Sequence, residues 1–218
     1  MIEFTFWDIL RNLLLAARWT VLLSLAAFVG GALVGLVVLF FRIAKNKWSR
    51  RIASGYIALF QGTPLLMQLF LMFFGLPMLG LRIEPWTAAV LGLTFFASAY
   101  LAEIWRSGVA ALPQGQWDAG ASLGLHYLQE LRLIILPQAL KVIYPALTSQ
   151  VVIMMLESAV VSQIAVRELT YEADMLQART FRAFETYFVV PMVYLALSMG
   201  LRRLLVSGGR RVLGAGVS

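Results

Sequence analysis

One acidic residue stands where an acid is expensive. Glu157 is the only charge between Lys141 and Arg167, in an apolar run long enough to cross a bilayer. A charge at the centre of a membrane helix costs about 2.5–3.5 kcal/mol even on the lenient insertion scale, so it must face protein or water. Gln150 lies two helical turns before it, and Ser158 and Ser162 lie beside the same stripe, so the four predict a polar track able to line a path. Glu157 could receive an ammonium group or the Arg of a partner chain; the competing readings are a buried structural ion pair and an interfacial Glu near the outer surface. Thr63 and Gln68 are further candidates, because Pro64 has no N–H and leaves carbonyls free beside them.

Other chemistry is missing from the sequence. No Gly-x-x-x-x-Gly-Lys-Ser/Thr loop is present to cradle a phosphate, and there is no His-Glu-x-x-His or Gly-x-Ser-x-Gly. Cysteine is absent, which removes disulfides and thiolate metal sites, and the single His126 is expected to have a surface or packing role. The chain is therefore expected not to be an enzyme by itself and to hold no cofactor. Energy for any work would come from a partner.

A second candidate site is the polar stretch Glu103 to Leu140, flanked by apolar sequence on both sides. Trp117, Ala121, Leu125 and Leu128 fall at helical spacing, with Asp118, Ser122 and Gln129 opposite. This predicts a short amphipathic helix over 117–128. Ala119, Gly120, Ala121 and Gly124 keep it thin, so another backbone could come close.

The elements that must position these groups are membrane spans. The chain has 218 residues, 61% hydrophobic and 13% charged, with mean hydropathy +0.81. A soluble domain carries about twice that share of charge, so lipid is the expected solvent. The formal charge of +7 is gathered in clusters between apolar runs, which favours membrane anchoring over nucleic acid. Uncharged runs at Trp19–Phe41, Ile52–Leu81, Pro85–Ala102 and Thr186–Leu201, with the run holding Glu157, predict five spans at about 12–41, 54–80, 85–105, 138–165 and 186–205. The polar loop then occupies 106–137. Gly31 and Gly35 offer a tight helix crossing, and Ala97, Ser98 and Ala99 a small packing face. Pro64 should bend or end the second helix. Residues 1–11 read as a short polar lead without a cleavable signal, and residues 167–185, mixed in charge, as an external segment. Of the 18 Lys and Arg, five fall in 42–51, three in 106–141 and four from 202 on, so 12 lie on the inner side if the N-terminus is outside and the C-terminus cytoplasmic.

The loop also carries a resemblance. Asp118-Ala119-Gly120, three residues, Gly124, nine residues, then Ile134-Ile135-Leu136-Pro137 is similar to the cytoplasmic-loop pattern of ABC importer permeases, with Asp for Glu and Gly for the second Ala. Gln61-Gly62-Thr63-Pro64-Leu65-Leu66, Ala99-Tyr100-Leu101-Ala102-Glu103-Ile104, Leu136-Pro137-Gln138-Ala139-Leu140 and Ala178-Arg179-Thr180-Phe181 look like the polar amino acid branch. Leu156-Glu157-Ser158-Ala159 stands where relatives have a Lys-Asp-Ser/Thr-Ser type sequence; it keeps the acid but loses the basic neighbour.

The resemblance implies an all-α membrane protein of the type I ABC importer fold, one permease domain whose loop is a coupling helix. Gln116, Asp118, Ala119, Gly120, Ser122 and Gly124 would meet a cytoplasmic ABC ATPase dimer, whose subunits bind the ATP and Mg. It also implies a second permease subunit, identical or similar, an external solute-binding protein and an amino acid as substrate, in a bacterial inner membrane. The alternative is a subunit of an ion-gradient-driven transporter or channel, against which stands the lack of similarity between the two halves.

Overall fold

A computed structural model describes residues 5–213; Glu3 in the lead and the end of the basic tail lie outside them. The described chain is helical throughout. Among the described residues four helices are long and apolar enough to cross a membrane, and the number is five if one bent pair is counted as a single span.

Helix α1, Phe6–Ile43, is the longest. It starts inside the expected polar lead, because Thr5 and Asp8 form a capping box: the Thr5 N–H and hydroxyl both donate to Asp8 Oδ2, at 2.9 and 2.6 Å. Its face at Ile9, Leu13 and Ala17 is buried against residues 169–176 and 189–194, so these first turns are core rather than lead. Further along, Gly31 and Gly35 sit on helix α5, Pro85–Ala110: a Cβ on Gly31 would meet the Ala97 Cβ at 2.7 Å, and one on Gly35 the Ser98 carbonyl at 3.1 Å. The two backbones touch where the small residues predict a crossing.

Helix α2, Lys47–Gly62, meets the stretch Leu65–Met78, which begins with helix α3, Leu65–Phe70, at an angle of 104° across the Thr63-Pro64 break. A wide π turn, Leu71–Gly75, leads into the short helix α4, Leu76–Met78. Tyr56 on α2 is held to α5 by a 2.6 Å hydrogen bond to the Ser98 hydroxyl, and Gln61 by its amide to the Ala99 carbonyl at 3.2 Å.

Helix α6, Gln114–Ser122, and helix α7, Tyr127–Glu130, make the polar connection. The single helix expected over 117–128 is therefore two. Gly124 is left-handed, with φ +72°; its N–H donates to the Ala121 carbonyl and that of Leu125 to the Gly120 carbonyl. That pair of bonds is a Schellman stop, which glycine makes at no steric cost. A π turn, Leu131–Ile135, then opens helix α8, Leu136–Glu157, which passes through Pro145 and narrows to a 3₁₀ stretch at Ser158–Ile164. Helix α9, Leu169–Thr180, leads to helix α10, Ala183–Leu213. Helix α10 has 31 residues, longer than the span expected over 186–205, because it continues past Arg202 and Arg203 to Leu213.

Candidate functional site

The connection between α5 and α8 is braced from within. Gly120 is buried, and a Cβ there would meet the Glu130 Cγ at 2.8 Å and the Ile134 Cδ1 at 3.2 Å. Its lack of a side chain thus serves the chain's own α7 and π turn. The Gln138 amide donates to the Gln116 Oε1 at 2.9 Å and to the Ile134 carbonyl at 3.1 Å, tying α6 to α8. Trp117 stacks on Tyr127 with centroids 5.5 Å apart. The other face is open: Asp118, Ala119, Ala121 and Ser122 are exposed, and Leu123 is 76% exposed. Asp118 caps nothing; it accepts from the Gln114 amide at 3.3 Å, while the Ser122 hydroxyl donates to the Asp118 carbonyl at 2.8 Å. A Cβ on Gly124 would meet nothing within 4 Å, and the residue works as the stop of α6.

At the same end of the chain Glu103 joins α1 to α5, with the Arg42 Nε 3.3 Å away and the Arg106 Nε 2.7 Å away. Glu103 and Arg106 lie within α5, which runs to Ala110, so the loop is shorter than the expected 106–137.

The polar groups of the spans are distributed differently from a single stripe. Gln150, Ser158 and Ser162 are buried, whereas Glu157, the last residue of α8, is half-buried. Beyond it the 3₁₀ geometry turns about 120° per residue, so Ser162 leaves the face of Ser158. The Ser158 hydroxyl donates to the Met155 carbonyl at 2.6 Å, and Ser162 accepts from the Gln163 amide at 3.3 Å. Helix α3 packs against this 3₁₀ stretch through Leu65, Leu69, Val161 and Ile164.

Gln68 explains how the break at Pro64 is tolerated. Its Nε2 faces the Phe60 carbonyl at 2.9 Å, the Thr63 carbonyl at 3.0 Å and the Thr63 hydroxyl at 2.9 Å, so the side chain caps the end of α2 from within α3. The Thr63 hydroxyl donates to the Leu59 carbonyl at 2.7 Å. Both residues line a cavity of about 300 Å³ with Phe60, Met67 and Leu71; Glu157 stands on α8, outside it.

One residue that sequence reasoning did not single out is central. Glu168, read as part of the external charged segment, is fully buried. Its Oε2 accepts from the Thr20 hydroxyl at 3.1 Å and from the Tyr194 hydroxyl at 2.9 Å, and its Oε1 accepts from the Tyr171 N–H at 2.9 Å. The Thr20 Oγ1 in turn accepts from the Leu169 N–H at 3.1 Å. One carboxylate thereby binds α1, α9 and α10. Burial pushes the Glu168 carboxyl above the ordinary carboxylate range, against the pull of its donors. The available signal was Thr20 and Tyr194, two polar side chains inside apolar runs. Among the described residues no three His, Cys, Asp or Glu side chains gather to hold a metal.

These features define a multi-pass helical membrane protein with an open-faced connection between its third and fourth spans. Residues 27–217 match the family described as binding-protein-dependent transport system inner membrane component, and the chain belongs to that family. It is similar to the glutamine transport system permease protein GlnP of Escherichia coli (strain K12), 35% identical over 204 residues that cover 91% of this chain and 93% of that protein. It is also similar to the probable amino-acid ABC transporter permease protein YckA of Bacillus subtilis (strain 168), 34% identical over 82% of this chain and 79% of YckA. Among solved structures, an amino acid ABC transporter crystallised with histidines has a chain 36% identical, with TM-score 0.87, covering 97% of this chain and all of that one. The chain thus has the type I ABC importer transmembrane fold and is a transport permease subunit.

Proposed function

We propose that this chain is half of the membrane path of an amino acid importer, driven by an ABC ATPase dimer that seats on the open face of α6. The braced connection carries the reading. Asp118, Ala119, Ser122 and Leu123 face outward while Gly120, Gln116 and Trp117 fasten the segment to α7 and α8. A rigid lever with a free outer face can pass a push to the spans it is fastened to, whereas a solvated loop cannot.

The ATPase subunits would bind ATP and Mg, and this chain would have no catalytic residue. A second permease, identical or similar, completes the path, because five spans enclose little alone, and an external solute-binding protein delivers the substrate. In a bacterial inner membrane the N-terminus would lie outside and the C-terminus in the cytoplasm. Glu157 is the path group for the ammonium of an amino acid, with Gln150, Ser158, Ser162, Thr63 and Gln68 around the route. The family likeness to permeases named for glutamine and amino acids supports the substrate class.

The test is ATP hydrolysis by the complex reconstituted in liposomes with its binding protein. Polar amino acids should stimulate it, and Glu157→Gln should raise the concentration needed about tenfold, as expected for loss of one charge-assisted hydrogen bond. Stimulation by no amino acid, or an unchanged response in Glu157→Gln, would remove the substrate class or the role of Glu157 respectively.

A further inference from the structure

The elbow between α1 and α2 carries a charge excess that the described residues do not neutralise. Five cations fall within ten residues, and two are turned to the protein: Arg42 pairs with Glu103, and the Arg50 Nη1 donates to the Ala44 and Lys45 carbonyls at 3.3 and 3.4 Å. Lys45, Lys47 and Arg51 are exposed, with no acidic partner among the described residues. The Asn46 side chain accepts from the Trp48 backbone N–H at 2.9 Å and so caps α2, which starts the helix with Trp48 in its first turn. Trp48 is 69% exposed, and the Arg51 guanidinium lies over its ring, 5.5 Å from the centroid.

An apolar track continues from the indole. Ile52 is 67% exposed and Leu59 is 58% exposed, on the helical face that Trp48 begins. Between them Gly55 is exposed, and a Cβ there would have nothing within 4 Å, which leaves a shallow notch in the track.

We propose that this elbow binds one anionic glycerophospholipid of the adjoining leaflet. Its phosphate is held by Lys45, Lys47 and Arg51, and an acyl chain lies over Trp48, Ile52, Gly55 and Leu59. Charge complementarity selects the occupant. Three unneutralised cations beside an interfacial aromatic favour a headgroup with net negative charge, and the stripe below them leads into hydrocarbon, where an acyl chain fits. A zwitterionic lipid has the same chain and phosphate but no net charge to match. The site rests on the spans lying in a bilayer and not on which end of the chain is cytoplasmic.

The purified transporter, with its partner subunits, is titrated in micelles with phosphatidylglycerol or phosphatidylcholine brominated on the acyl chains. The chain has six tryptophans, so a Trp48→Phe variant defines the share of fluorescence due to Trp48. The Trp48 share should be quenched at a lower fraction of phosphatidylglycerol than of phosphatidylcholine. Neutralising Lys45, Lys47 and Arg51 to Gln should weaken the phosphatidylglycerol response about fivefold for each residue changed. Lys45→Arg with Lys47→Arg should retain it. Equal quenching by both lipids, no quenching by either because a partner subunit covers the face, or a preference that survives neutralisation would each overturn the proposal. Amino-acid-stimulated ATP hydrolysis of the same preparation reports the transport reading separately.

Discussion

Glu168 binds three helices with one carboxylate, and its removal should be felt far from its own position. Glu168→Ala takes the acceptor from the buried Thr20 hydroxyl and from the half-buried Tyr171 N–H, at about 1–3 kcal/mol for a buried group left unpaired, while the Tyr194 hydroxyl keeps that of Thr170 at 2.9 Å. The thermal midpoint of the purified complex should fall by several degrees, and Glu168→Gln, which keeps an acceptor for the N–H, by less. An acid whose folded pKa is raised contributes stability that is present below the ordinary carboxylate value and is lost as pH rises through the raised one. Thermal midpoints should therefore decline with pH above the carboxylate range in the wild type and more gently in Glu168→Gln. Ala165 is a second residue under constraint, left-handed at φ +61° where the 3₁₀ stretch ends. Ala165→Gly should stabilise by about 1 kcal/mol, read as a higher thermal midpoint. Neither residue was legible as special in sequence. A single Glu in a charged segment looks solvated until the fold brings Thr20 and Tyr194 to it from 148 and 26 positions away.

At the scale of elements, prolines and glycines divide the chain, and the sequence conveyed part of this. Pro64 bends its span as its missing N–H requires, yet Pro145 and Pro191 sit inside continuous helices. What decides the difference at 64 is Gln68, four residues on, whose amide takes over the freed carbonyls. Gln68→Leu should lower the thermal midpoint by an amount matching about 2 kcal/mol, since it orphans acceptors that lipid cannot satisfy. The spacing over 117–128 read as one helix because periodicity is blind to a left-handed Gly124 in its middle. The small residues of this stretch read as room for another backbone, whereas at Gly120 the neighbour in this chain is the Glu130 side chain of α7. Gly120→Val should push α7 and the π turn away from α6. Reconstituted complex should then hydrolyse ATP while losing most amino acid uptake, measured side by side in the same liposomes.

For the whole molecule, hydropathy was enough to give an all-helical membrane protein, because uncharged runs and basic clusters stand directly in the sequence, and the bend near 64 was read from Pro64. How those helices pack was only partly visible: the Gly31 and Gly35 crossing on α5 could be read, while the union of α1, α9 and α10 depends on contacts across most of the chain. The central claim, that an ATPase seats on the open face of α6, is tested most directly by crosslinking. The chain has no cysteine, so Ser122→Cys introduces a single thiol on that face. With the complete complex in liposomes, a thiol-to-amine crosslinker of short span should join Ser122→Cys to the ATPase subunit, with a yield that changes when ATP is added. A crosslink from Ser122→Cys to the external binding protein instead, or none to the ATPase in a complex that still hydrolyses ATP, would contradict it.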